Sequence, residues 1–221
     1  MNYYSWLGQI LFFSLMGFLF WLIYIAMAYG VANLSVNQVN DEVEQWVEGK
    51  NLTKEDWFLV HKKLNWALKF DRHNPDLLEM MGTLYYWKAN ISVMQPKVFV
   101  ARQKALSYYL QVVKQKPNSA LTYANIILIK DLLGQYDAQF QVALEQAARL
   151  NPWEPFIQRV IVEIGLSAWK QLSKNGQSIV FATIERGIKS GQATQMSAFI
   201  KKYQYESVVC MRGHPFFKFC Q

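Results

Sequence analysis

From Ile10 to Val31 the chain reads ILFFSLMGFLFWLIYIAMAYGV, with no polar face: Phe12, Phe13, Phe18, Phe20, Trp21 and Ile23 cover all sides of a helix. At about 1.5 Å rise per residue, roughly 20 apolar residues cross a ~30 Å hydrocarbon layer. A helix packed in a soluble core needs only an apolar stripe. The stretch is therefore expected to span a membrane. Tyr3, Tyr4 and Trp6 before it, and Tyr24 and Tyr29 toward its far end, suit the headgroup layers. The competing expectation is a cleaved signal peptide, because Ala26, Met27 and Ala28 form a small-x-small site. Signal peptides open with Lys or Arg and carry an apolar core of about 7 to 15 residues, whereas this start is uncharged and its core longer. An uncleaved anchor over residues 1–33 fits better.

After an acidic stretch over 34–52, expected as linker or helix, the pattern takes the period of amphipathic helices. Trp57, Val60, Leu64 and Leu68, spaced by three and four, make one apolar face, with Thr53 or Asp56 placed to cap it. Asn74-Pro75 ends that helix, because proline disfavours helical backbone in the residue before it and can itself open the next helix. The pattern then predicts helices over 76–89, with Leu77, Met81, Leu84 and Tyr85, and, after a break near Pro96, over 98–115, stopped at Lys116-Pro117. A helix over 119–133 ends at Gly134, a left-handed terminator. The next, over 137–150, puts Phe140, Ala143, Leu144 and Ala147 on one side and ends at Asn151-Pro152. Pro155 suits a first helical turn, and Val160, Ile161, Ile164, Leu166 and Trp169 continue the core. Lys174-Asn175-Gly176 reads as a break before helices over 178–188 and 194–203. The late apolar VVC is too short to argue a sheet.

Pro75, Pro117 and Pro152 lie 42 and 35 residues apart, close to a helix-pair repeat of 34 residues whose first interval is lengthened by the 90–97 loop. Gly82, Ala105, Ala124 and Ala147 would let antiparallel helices approach closely. The fold class expected is all-α: a single transmembrane helix, then an irregular tetratricopeptide-like solenoid over 53–173 and a helical cap with a cysteine-containing tail over 174–221. The repeats are irregular because Phe140 holds a position where such repeats carry alanine. One helix pair cannot bury its apolar face alone, so pairs stack into an array with a concave groove suited to peptides or partner proteins. A compact bundle without a groove is the alternative.

Charge is uneven along a chain of net +7. Residues 41–56 carry six acids against Lys50 and Lys54, whereas 57–221 carry 21 bases against 10 acids. A positive surface suits anionic lipid, acidic polymer or an acidic protein, the alternative being scattered solvated lysines. Nucleic acid is not expected, because apolar helix faces interrupt the bases. No Lys or Arg precedes Lys50, so the positive-inside rule has little to count, and the α-amino group favours a cytoplasmic N-terminus. The only cysteines, Cys210 and Cys220, bracket MRGHPFFKF and suit a disulfide in an oxidising compartment. Such a bridge would stabilise by roughly 3 kcal/mol in the chain-entropy model; two buried thiols are the alternative. With no CxxC and only His214 nearby, a zinc site is not expected.

No HExxH, GxSxG, GxGxxG or phosphate-loop pattern occurs, and no catalytic residue, cofactor or metal is expected. His61 and His73 fall at or near a helix, where packing or exposure explains them. Glu154 and Glu163 are a conceivable carboxylate pair, but Glu154 beside Pro155 reads as a charge at a helix N-terminus. The sequons at Asn33, Asn51 and Asn90 are of chance frequency. Tyr85, Trp87, Lys97, Arg102 and Lys104 are candidate contacts to sugar or partner, aromatic faces stacking on sugar rings and cations meeting acidic groups.

Tyr123-Ala124-Asn125, Leu133-Gly134, the Asp137 to Phe140 segment, Pro152-Trp153-Glu154-Pro155 and Gly165-Leu166 with Trp169, joined to the anchor and the two-cysteine tail, resemble the VpsP-type proteins of bacterial exopolysaccharide biosynthesis clusters. About 100 residues carry the resemblance, and the Pro-Trp-Glu-Pro junction with the tail is its most specific part. Asn151 stands where relatives often have Gly, which leaves the stop at Pro152 intact. The resemblance implies a non-enzymatic protein of the bacterial inner membrane, its repeat domain periplasmic, that works within polysaccharide synthesis or export. Its expected partners are other proteins of that machine and, alternatively, an anionic polysaccharide.

Overall fold

The computed structural model describes residues 3–47, 53–92 and 94–210. Among these the regular structure is all helical: α1 (Tyr3–Val47), α2 (Lys54–Phe70), α3 (Pro75–Ile91), α4 (Gln95–Gln115), α5 (Ala120–Leu132), α6 (Ala138–Leu150), α7 (Pro155–Ser167), α8 (Lys174–Lys189), α9 (Ala193–Lys202) and α10 (Glu206–Cys210). A 3-10 turn over Trp169–Gln171 precedes α8. The helices pack in consecutive pairs, and the chain divides into two compact units, Met1–Leu84 and Tyr85–Gln221.

In the first unit α1 runs as one helix across position 33, where a boundary was expected, since no Gly or Pro interrupts 31–47. Its Gly8–Met27 stretch is exposed among the described residues and is long and apolar enough to cross a membrane, consistent with a single anchor or a signal sequence. Helix α2 packs on α1 and buries Trp57, Val60 and Leu64 of the expected face, with Ala67 buried and Leu68 half-buried at its end. Thr53 opens it with a capping box: its Oγ1 accepts from Asp56 N at 3.1 Å, while Asp56 Oδ2 accepts from Thr53 N at 3.2 Å. Trp57 Nε1 donates to the Leu84 carbonyl at 2.9 Å and ties α2 to α3. Asn74 starts α3 by accepting from Asp76 N and Leu77 N at 3.0 and 3.1 Å, so the Asn-Pro pair both spaces and caps the helices.

In the second unit α5 with α6, and α7 with α8, form successive hairpins; α5 lies against α7, α6 against α8, and α9 packs on both α7 and α8. Phe140, at the irregular repeat position, is wholly buried, as are Ala105, Ala124 and Ala147. Gly134 turns α5 into α6 at φ +67°, a backbone that glycine adopts without Cβ strain. Ser119 and Asp137 cap α5 and α6, and Pro155 sits in the first turn of α7.

The 174–176 segment departs from expectation. It opens α8 instead of breaking the chain, because Ser173 Oγ accepts from Gly176 N at 3.0 Å and caps the helix. A Cβ on Gly176 would stand 2.9 Å from Gln141 Oε1, so the glycine serves close approach to α6. The same need explains Gly165, where a Cβ would stand 2.3 Å from Val180 Cγ2 at the α7–α8 contact. Helix α4 starts before Pro96, which its first turn tolerates. Val208 and Val209 of the late apolar segment belong to α10.

Candidate functional site

Of the five candidate contact residues, the structure gathers three. Tyr85, Lys97 and Lys104 line one open cavity of about 340 Å³ between α3 and α4, together with Lys88, Ser92, Pro96 and Val100. Lys97 and Lys104 are seven residues apart, two helical turns, and so share a face of α4. Lys88 follows Tyr85 by one turn of α3, and both Lys88 Nζ and Lys104 Nζ lie over the Tyr85 ring, 5.5 and 5.1 Å from its centroid. Burial, and then the charge of Lys104, holds the Lys88 ammonium below its ordinary pKa.

The ring itself is not a platform for sugar stacking. Tyr85 is 6% exposed, and Tyr108 stacks on it with centroids 5.7 Å apart and planes 17° from parallel. Arg102 goes elsewhere: its Nη1 donates to the Leu132 carbonyl at 2.8 Å, fixing α4 to the C-terminal end of α5. Trp87 packs edge-on against Tyr86, centroids 5.8 Å apart, and does not line the cavity. Lys88 is not among the residues that sequence alone singles out; its one-turn spacing from Tyr85 is the signal that points to it.

The Pro-Trp-Glu-Pro junction is a built turn between α6 and α7. The Gln158 side chain, fully buried, donates through Nε2 to the Pro152 carbonyl at 2.8 Å. Its Oε1 accepts from Ser190 Oγ at 3.1 Å and from Gln192 Nε2, binding the junction to the α8–α9 turn. Glu154 is the N-cap residue of α7, as its sequence position suggested, and makes no side-chain cap bond. With Asn118, Asn151 and Phe156 it lines an open depression of about 480 Å³, and among the described lining residues it is the charged one. Trp153 is exposed, whereas Trp169 packs edge-on against Phe181 at 5.0 Å.

Glu163 does not pair with Glu154; it accepts from Lys202 Nζ at 2.7 Å. Near it on α5, Asp131 accepts from Tyr136 Oη at 2.8 Å. Burial raises the Asp131 pKa and Glu163 adds to that, against the opposing bond from Tyr136. The Tyr136 hydroxyl is in turn pushed up to about 12 by burial, then by its bond to Asp131 and the charge there. On the other side of the same turn, the ammonium of Lys130 binds both oxygens of Asp137, at 2.9 and 2.8 Å.

His61 stacks on Trp57 with centroids 4.5 Å apart, a packing role. Among the described residues no group of three or more His, Cys, Asp or Glu could hold a metal ion. Cys210 closes α10, while Cys220, its expected partner, lies outside the described residues, as do His214, Asn51 and the tail between the cysteines. Comparison with protein-family models, with curated proteins and with solved structures returns no match to this chain.

Proposed function

We propose that the protein is a non-enzymatic adaptor, anchored in the bacterial inner membrane by a single pass, with a cytoplasmic N-terminus and a periplasmic helical-repeat domain that takes part in exopolysaccharide biosynthesis or export. The observation that carries this reading is the union, in one chain, of an apolar helix exposed among the described residues and helix pairs that pack side by side. Stacked pairs present extended faces on which partner chains bind. The assignment to exopolysaccharide rests on the VpsP-type resemblance around the Pro-Trp-Glu-Pro junction. Deleting the gene while leaving precursor synthesis intact is expected to lower secreted polymer, and unchanged secretion would refute the role.

A second reading, direct binding of the polysaccharide by the repeat domain, is favoured by one observation. Tyr85, Lys97 and Lys104, picked as sugar contacts by residue type alone, line a common cavity. Retardation of the purified protein in affinity gels containing the native polymer is the expected result; unhindered migration removes this reading.

A further inference from the structure

We infer that the cavity between α3 and α4 is an oxyanion site, taking a carboxylate or phosphate carried on a saccharide and holding it between Lys88, Lys97 and Lys104. The proposal deepens the second reading above and rests on it for the saccharide.

Three features of the cavity point the same way. Its described lining supplies three ammonium groups and no carboxylate. Two of those groups, Lys88 and Lys104, are brought over one ring from two different helices. An anion seated between them would meet an ammonium group on each side. The lysines also come from a scaffold and not from a loop: Lys97 and Lys104 share a face of α4, and Lys88 is set by the turn that carries the buried Tyr85. Preformed placement of this kind lowers the ordering cost of binding.

Size and shape select the ligand class. A cavity of about 340 Å³ is at the lower end for small-molecule sites and admits a monosaccharide unit or a terminal group, not a folded partner. The ring of Tyr85 has Tyr108 against it and two ammonium groups over it, so neither a base nor a neutral sugar gains a stacking surface there. What remains is charge-assisted hydrogen bonding to oxygen, for which lysine is a suitable donor as a point charge. Among polysaccharide components, acidic units such as uronates or phosphorylated sugars meet that chemistry.

The test is isothermal titration of the full-length protein in a neutral detergent with inorganic phosphate, with an oligogalacturonate and with an uncharged dextran oligosaccharide. Phosphate and oligogalacturonate are expected to bind and compete, with dextran silent. Binding of the uronate alone would support the site with carboxylate as its group, and binding of phosphate alone would support it with phosphate. Lys104→Gln and Lys97→Gln, both at exposed positions, should each weaken binding by about tenfold or more, as expected for a lost hydrogen bond to a charged group. Lys114→Gln, at the far end of α4, should leave binding unchanged, and thermal melts of all three variants should match the parent. Oligogalacturonate binding that survives in Lys104→Gln and Lys97→Gln would overturn this site while leaving polysaccharide binding in place. Equal binding of dextran would overturn oxyanion recognition. Silence of all the ligands would overturn both the site and the second reading.

Discussion

Lys130, 2% exposed, binds both carboxylate oxygens of Asp137 through its ammonium group, and the same carboxylate accepts from Phe140 N at 3.0 Å to cap α6. One side chain thus satisfies a buried cation and a helix end at the turn between α5 and α6. Burial alone would raise the Asp137 pKa, but the bonds from Lys130 and Phe140 outweigh it and bring it below its ordinary value. Two substitutions separate these tasks. Asp137→Ala removes the cap and strands the ammonium, an expected cost of about 3 kcal/mol. Lys130→Met keeps the cap and replaces the cation with an apolar chain of similar volume, for an expected change within about 1 kcal/mol. Urea unfolding of the two variants checks this, and equal losses would show that neither the cap nor the stranded ammonium adds to the loss of the ion pair itself.

Gly165 sets how closely α7 and α8 approach, since a Cβ there would stand 2.3 Å from Val180 Cγ2. Gly165→Ala should cost about 1 to 3 kcal/mol by overpacking. Adding Val180→Ala to it should recover part of that loss, because the second change removes the obstructing methyl group. A double-mutant cycle measures the coupling; strictly additive losses would contradict the contact as its cause.

The Tyr136 hydroxyl bonded to Asp131 gives a pH signature. Its pKa rises from the ordinary 10.0 to about 12. The folded chain therefore holds this proton more tightly than the unfolded chain does. The resulting stabilisation is whole below pH 10.0 and is lost as pH rises through about 12. The stability difference between the parent and Tyr136→Phe should shrink across that alkaline window, as read from denaturant midpoints. A difference that stays constant would place the Tyr136 contribution in packing alone.

Much of the helical order was legible because its punctuation is local. Thr53, Asn74, Ser119 and Asp137 hold cap positions and Gly134 a left-handed turn, each dictated by backbone groups within a few residues. Gly176 misled because Lys174, Asn175 and Gly176 look like a turn, whereas Ser173 just before them caps a helix and the glycine lets Gln141 and Leu144 of α6 come close. Lys130 shows a similar limit, since nothing in the 3.6-residue pattern says that one lysine of α5 turns inward to an aspartate seven residues on. For the candidate site, residue type named Tyr85, Lys97 and Lys104, which line one cavity. It could not separate them from Arg102 and Trp87, whose directions depend on the packing of α5 and on Tyr86.

The adaptor reading is tested most directly by crosslinking the tagged full-length protein in its native host and identifying by mass spectrometry what remains attached after denaturing purification. The account predicts glycosyltransferase, polymerase or export components of an exopolysaccharide machine among the crosslinked proteins. Recovery of polymer with no protein of that machine attached would contradict it.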